Sequence, residues 1–286
     1  MLKHSIGLIG CGWLGEALTK ELVSQKYSVI VSTQHQEKIE ALSQLGAQVE
    51  RFSLSDQQPS QDHFQLSLFK QSCLIVAIPP GIRQGKTDYP DKIKHLVQLA
   101  ESADVKQLIM ISSTAIYNGL TGNIDENVSI DLSAKKTSVI HLAEKQAFAF
   151  SGHTIILRLS GLVGPNRHPG KFLRGNRLLS DPEATTNLIH QKDAVGLLLG
   201  LINTSNHTAI YNGSSNTHVS KREYYEQAAI SIDLPKPQFN EDQYQNVENR
   251  KEKSVGLNKI IGSNKIRAAL NYTFHYDDLL TWLDKN

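Results

Sequence analysis

Gly10, Gly12 and Gly15 stand at G-x-G-x-x-G spacing inside the run Gly7-Leu-Ile-Gly-Cys-Gly-Trp-Leu-Gly15. These residue types at this spacing are suited to holding a pyrophosphate. Gly10 can take the angles of a sharp strand-to-helix turn, Gly12 leaves the backbone open to a phosphate, and Gly15 lets the following helix pack closely on the strand. The anion would meet N–H groups at the positive end of that helix, with Cys11, Trp13 and Leu14 completing the turn. The alternative is an ordinary glycine-rich βα turn. The flanks favour the dinucleotide reading: apolar Ile6, Leu8 and Ile9 come before, a helical pattern runs from Trp13 to Ser24, and a second strand follows at Tyr27–Val31.

The end of that second strand bears on which dinucleotide is bound. An Asp or Glu about 20 residues beyond the glycines would accept the ribose hydroxyls of NAD and repel a 2′-phosphate. Here the chain has Ser32-Thr33-Gln34-His35, with Lys38 one turn on. Neutral donors beside a lysine suit a phosphate better. NADP is therefore the favoured cofactor and NAD the alternative, since no arginine stands there to settle the matter. Ser32 or Thr33 would otherwise simply cap the next helix.

The elements that must position these residues alternate regularly. Strands are expected at Ile6–Ile9, Tyr27–Val31, Ala47–Phe52, Cys73–Ile78, Gln107–Ile111 and Thr154–Leu159, and helices at Trp13–Ser24, Gln36–Leu45, Pro90–Ser102 and Lys135–Phe150. This order implies an α/β fold, a Rossmann-type doubly wound parallel sheet with a smaller C-terminal substrate lobe. Residues 1–160 would form the dinucleotide-binding core, and 161–286 would add further core elements and the lobe. A long segment, Gly161–Asn187, reads as irregular and therefore as a functional loop. Beyond it come a strand near Ala209–Asn212, a helix near Ser220–Ser231, a polar stretch over Pro235–Ser254 and a last helix ending at Trp282–Leu283.

Three further segments, Leu108-Ile-Met-Ile-Ser-Ser-Thr-Ala-Ile-Tyr117, Leu157-Arg-Leu-Ser-Gly-Leu-Val-Gly-Pro165 and Asn187-Leu-Ile-His-Gln-Lys-Asp193, join the glycine turn in a pattern spanning most of the chain. It resembles the extended short-chain dehydrogenase/reductases, the NAD-dependent epimerase/dehydratase family, and within them an atypical bacterial subgroup. The resemblance implies that Ile78, at the end of the fourth strand, Pro79 and Pro80, just after it, and Ser112, after the fifth, approach the cofactor. It makes Ser113 the candidate catalytic residue, polarising a substrate oxygen. It also places Tyr117 and the long loop's Arg167, His168, Lys171 and Arg174 at the substrate site, with Arg158 and Arg177 adding positive charge nearby. Such a cluster suits an anionic small molecule; its alternative is a solvated face. Asp193 is expected to cap the apolar helix that follows it.

One family feature is absent. A tyrosine four residues before a lysine normally moves the proton while nicotinamide moves the hydride. None of the nine tyrosines here has a lysine at that spacing, and none occurs between Tyr117 and Tyr211. Aligning on Glu144 puts Lys136 and Ile140 in those places. Tyr89 and Tyr117 are the remaining candidate donors. The reading is thus an NAD(P)-binding atypical short-chain dehydrogenase/reductase, an oxidoreductase or epimerase-like catalyst on a small polar metabolite, with a non-catalytic sensor or regulator as the alternative.

Composition excludes other classes. Thirty basic and 28 acidic residues are interspersed to a net charge of +2, which gives no stripe for nucleic acid or a membrane surface. The longest apolar run, near Ala194–Ile202, is far below the ~20 residues of a bilayer span, and no apolar leader precedes the first strand, so a cytoplasmic protein is expected. Cys11 and Cys73 read as small core residues, and the eleven histidines lack metal-ligand spacing.

Overall fold

The computed structural model describes residues 5–54, 61–103, 105–173, 178–204, 207–240 and 258–285. Short apolar runs form the main sheet: β1 (Ser5–Ile9), β2 (Ser28–Thr33), β3 (Gln48–Arg51), β4 (Cys73–Val76), β5 (Gln107–Ser113), β7 (His153–Leu159) and β10 (Ala209–Gly213). Their order is β10-β7-β5-β4-β1-β2-β3. Neighbours from β3 to β5 pair in parallel, with Ile9 opposite both Ser32 and Val76. The chain proceeds from β1 outward to β3, then returns to lay β4 on the other side of β1. That reversal opens a crevice beyond the carboxyl ends of β1 and β4, where ligands of doubly wound sheets bind.

Helices cover the sheet through apolar stripes. α1 (Trp13–Ser24) buries Gly15, Leu18, Thr19 and Leu22, which are three and four residues apart. α3 (Tyr89–Ser102), with Pro90 in its first turn, and α4 (Lys135–Ala147) share a core with Leu74, Leu108 and Ile156. α5 (Gln191–Ile202) buries Ala194, Leu197, Leu198 and Leu201. Each such leucine contributes roughly 1.5–3 kcal/mol by leaving water. The buried amide of Gln107 donates to the carbonyls of Leu201 and Thr204, at 3.1 and 3.0 Å, and so ties the end of α5 to β5. Among the described residues no helix is long and apolar enough to cross a membrane.

The expected helix Gln36–Leu45 is a 3-10 turn at Gln36–Lys38 followed by α2 (Ile39–Ser43), which buries only Leu42. The supposedly irregular segment after β7 contains β8 (Gly161–Val163), paired in parallel with β9 (Leu188–His190). Likewise β6 (Gly122–Ile124) pairs with β11 (Lys259–Ile261). Three-residue strands are too short to show alternation in a sequence. α6 (Lys221–Ile230) starts at Ser220, whose Oγ accepts the Glu223 N–H, and α7 (Asn264–Leu270) and α8 (Leu279–Leu283) follow. The polar stretch expected at Pro235–Ser254 is described only as far as Asn240.

Two compact units result, each built from several stretches of chain. One comprises 1–116, 132–158 and 195–211, and the other 117–131, 159–194 and 212–286. The second has its own core of Val163, Tyr224, Ala228, Leu279, Trp282 and Leu283. Within it Asp193 is the third residue of α5 rather than its cap. Its buried carboxylate accepts from the Tyr272 hydroxyl at 3.1 Å and from the His275 and Tyr276 N–H groups at 2.7 and 3.0 Å.

Candidate functional site

The first unit carries a cavity of about 370 Å³ at the carboxyl ends of β1 to β4. That is enough for a small ligand or part of a dinucleotide. Gly10 adopts φ +97°, and a Cβ there would lie 2.9 Å from the Ala77 carbonyl. At Gly15 a Cβ would lie 2.7 Å from the Gly10 oxygen, so the helix can approach its own strand only with glycine here. Gly12 is the opposite case, since a Cβ would meet nothing within 4 Å. No side chain caps α1 at Gly12, which leaves the helix start open to an anion.

Cavity-lining residues proposed from the sequence are Gly10, Cys11, Gly12, Ser32, Thr33, Lys38, Ile78, Pro79 and Pro80. Ser32 Oγ accepts the Gly10 N–H at 3.3 Å, and Thr33 Oγ1 accepts the His35 N–H at 3.1 Å, so each hydroxyl also shapes a turn. Trp13 and Leu14 are half-buried in the first turn of α1 and, like Gly15, do not line the cavity. Burial pushes the Cys11 thiol up to about 11, more than its hydrogen bond with Thr19 lowers it, so it provides no thiolate at neutral pH. Phe52 and Leu54, after β3, and Gln84, Lys86 and Lys92, around the start of α3, also line the cavity. These five escaped sequence reasoning; the apolar pair immediately after β3 was the only signal present.

At the end of β5, Ser112 donates to Glu144 Oε1 at 2.5 Å. Arg158 clasps the same carboxylate, with Nε at 3.0 Å from Oε1 and Nη2 at 2.6 Å from Oε2. Arg158 and Glu144 are both buried, so Arg158 belongs to the interior and not to an exposed cationic cluster. Ser113 is half-buried, and its Oγ accepts the Ala115 N–H at 3.1 Å. On α4, Ile140 is buried and Lys136 is half-buried. Tyr89 lines the cavity, but its hydroxyl donates to the Ile78 carbonyl at 3.3 Å, and burial, reinforced by the Glu144 charge, pushes its pKa well above the phenolic range.

In the second unit Tyr117 is fully buried and donates to Asn212 Oδ1 at 2.9 Å. His168, placed with the substrate-binding cations by the sequence, is also buried. Its Nδ1 accepts the Gly170 N–H at 3.2 Å, Nε2 lies 3.3 Å from Ser231 Oγ, and the ring leans on Trp282. Arg167 and Lys171 are exposed, while Arg174 and Arg177 lie outside the described residues. Among the described residues no group of three or more His, Cys, Asp or Glu could hold a metal ion.

Known proteins resemble this chain along most of its length. YeeZ of Escherichia coli (strain K12) is 28% identical over 278 residues, covering 96% of this chain and 97% of that one. The structure of MoeE5 in complex with UDP-glucose and NAD superposes with a TM-score of 0.75 at 17% identity, covering 98% and 96% of the two chains. UDP-N-acetylglucosamine 4-epimerase from Bacillus cereus gives 0.76 at 14% identity, over 99% and 98%. At such identities the two structures establish a shared fold. A family model described as NAD(P)H-binding matches residues 10–169, from the first glycine of the turn to the loop after β8. With more than half of its length matched, the chain belongs to this NAD(P)H-binding family.

Proposed function

We propose that the protein binds NADP(H) in preference to NAD(H), and acts in the cytoplasm as an atypical oxidoreductase or epimerase-like catalyst on a small, polar, anionic metabolite. The observation that carries this reading is the cavity at β1 to β4, where the open Gly12 face adjoins neutral and cationic groups and none of the described lining residues is Asp or Glu. Gly10, Cys11, Gly12 and the start of α1, through Trp13, Leu14 and Gly15, would hold the pyrophosphate. Ser32, Thr33 and Lys38 would hold the phosphorylated ribose, and Ile78, Pro79 and Pro80 would back the sugar. Bound nicotinamide would supply or accept a hydride. Ser113 accepts one hydrogen bond and keeps its own proton to offer a substrate oxygen. Arg167 and Lys171 would attract the substrate's charge; MoeE5, with the same fold, has been seen with UDP-glucose and UDP-glucuronic acid.

A non-catalytic NADP(H) sensor is the second reading. It is favoured by buried Ile140 at the place of the family lysine and by the engagement of the Tyr117 and Tyr89 hydroxyls elsewhere. Calorimetry with NADPH and NADH tests the shared premise. Tighter NADPH binding is expected; equal or tighter NADH binding overturns the preference, and no binding of either overturns the function.

A further inference from the structure

Three lysines line the cavity, and their surroundings differ. Lys92, on α3, is held by Asp88 at 2.5 Å. Lys38 and Lys86 form no ion pair among the described residues, and none of the described residues that line the cavity is a carboxylate. Glu37, beside Lys38 in the chain, is engaged with His35 at 3.2 Å. The turn after β4 brings Lys86 back over the cavity. Gly81 at φ +65° and Gly85 at φ +80° bracket the 3-10 turn Ile82–Gln84. The Gly81 carbonyl accepts from both Gln84 and Lys86, at 2.9 and 3.3 Å. The aliphatic stem of Lys86 then lies across Gly81, its carbons 3.1 to 3.5 Å from where a Cβ would stand. A side chain at position 81 would displace that stem.

We infer that Lys86 is a second specificity-determining residue for the cofactor's 2′-phosphate, presented from the turn after β4 while Lys38 is presented from the turn after β2. Both lysines are exposed and line one cavity, so a phosphate monoester dianion held between the two turns would gain charge-assisted hydrogen bonds from each. A ribose hydroxyl offers no such gain. The inference rests on the NADP(H) reading above, and its test separates the two.

Dissociation constants for NADPH and NADH would be measured by calorimetry on the full chain, for the native protein and for Lys86→Gln, Lys86→Arg and Lys38→Gln. Lys86→Gln is expected to weaken NADPH about tenfold, leave NADH within about twofold, and be largely rescued by Lys86→Arg. Retained NADH binding in Lys86→Gln reports that the cavity has folded. If the native protein prefers NADPH and Lys86→Gln keeps the same ratio, or loses both cofactors alike, the role of Lys86 is overturned and the NADP(H) reading stands. If the native protein shows no preference for NADPH, both fall.

Discussion

Arg158 and Glu144 form a buried, two-pronged ion pair, with Nη2 and Nε at 2.6 and 3.0 Å from the two carboxylate oxygens, and Ser112 adds a third donor at 2.5 Å. Replacing only one charge strands the other without water. Arg158→Met is expected to cost about 3–5 kcal/mol of unfolding free energy, and Glu144→Met/Arg158→Met to recover much of that loss. Denaturant titration of the native protein and these two variants checks this. A single mutant no worse than the double would show that the pair contributes little.

The glycine turn predicts two different failures. Gly12→Val should reduce NADPH binding below detection with little change in melting temperature, because its side chain enters open space that the pyrophosphate needs. Gly15→Val should destabilise the protein by roughly 1–3 kcal/mol, since its Cβ meets the Gly10 oxygen at 2.7 Å. Calorimetry and thermal melts on both variants distinguish these outcomes. Undiminished NADPH affinity in Gly12→Val would refute the assignment of the cavity.

Acid should weaken the second unit. Burial holds His190 down to about 4, helped by the charges of Lys192 and His275, and burial also lowers His168 and His218. In the unfolded chain each takes a proton near pH 6.5. The stability conferred by keeping them neutral is therefore fully present above about pH 6.5 and is lost as pH falls towards 4, by about 3 kcal/mol for His190. Urea unfolding at pH 7, 5 and 4 should show the decline, and His190→Phe should flatten it. An unchanged slope in that variant would assign the acid sensitivity to other groups.

The chemistry of the short-chain dehydrogenases that the sequence resembles should fail. A positioned acid/base contributes ~10²–10⁴-fold, and aligning on Glu144 puts Lys136 and buried Ile140 in the places of their tyrosine and lysine. Nucleotide sugars and simple alcohols offered with NADP⁺ or NAD⁺ are expected to give no robust turnover, and Lys136→Ala to leave any weak activity unchanged. Rapid, Lys136-dependent epimerisation would decide for the enzyme and against the sensor.

The Gly10 turn, α1 and the sheet strands were legible because each residue's type answers a local demand: a positive φ, a close approach, an apolar face. Lys86 was not. Its role depends on Gly81 and Gly85 folding five residues back on themselves, and on three other strand ends arriving beside them. His168 and Arg158 were misplaced for a related reason. Sequence gives the position of a basic residue along the chain but not the partner, half-buried Ser231 for His168 or buried Glu144 for Arg158, that engages it inside. The pairs β8–β9 and β6–β11 join segments up to about 140 residues apart through three-residue strands, too little pattern for either segment to announce the other.

The strand β10 closes the sheet beyond β7, yet Ala209 follows Leu159 by about 50 residues. A ribosome adding ~5–20 residues per second needs several seconds to cover that distance. During that interval β7 has emerged and its outer edge awaits a partner. Unpaired edges of this kind recruit strands from other chains. Until β10 is made, the nascent chain presents the edge of β7, which β10 covers in the finished sheet, and this is a stage at which a chaperone would matter.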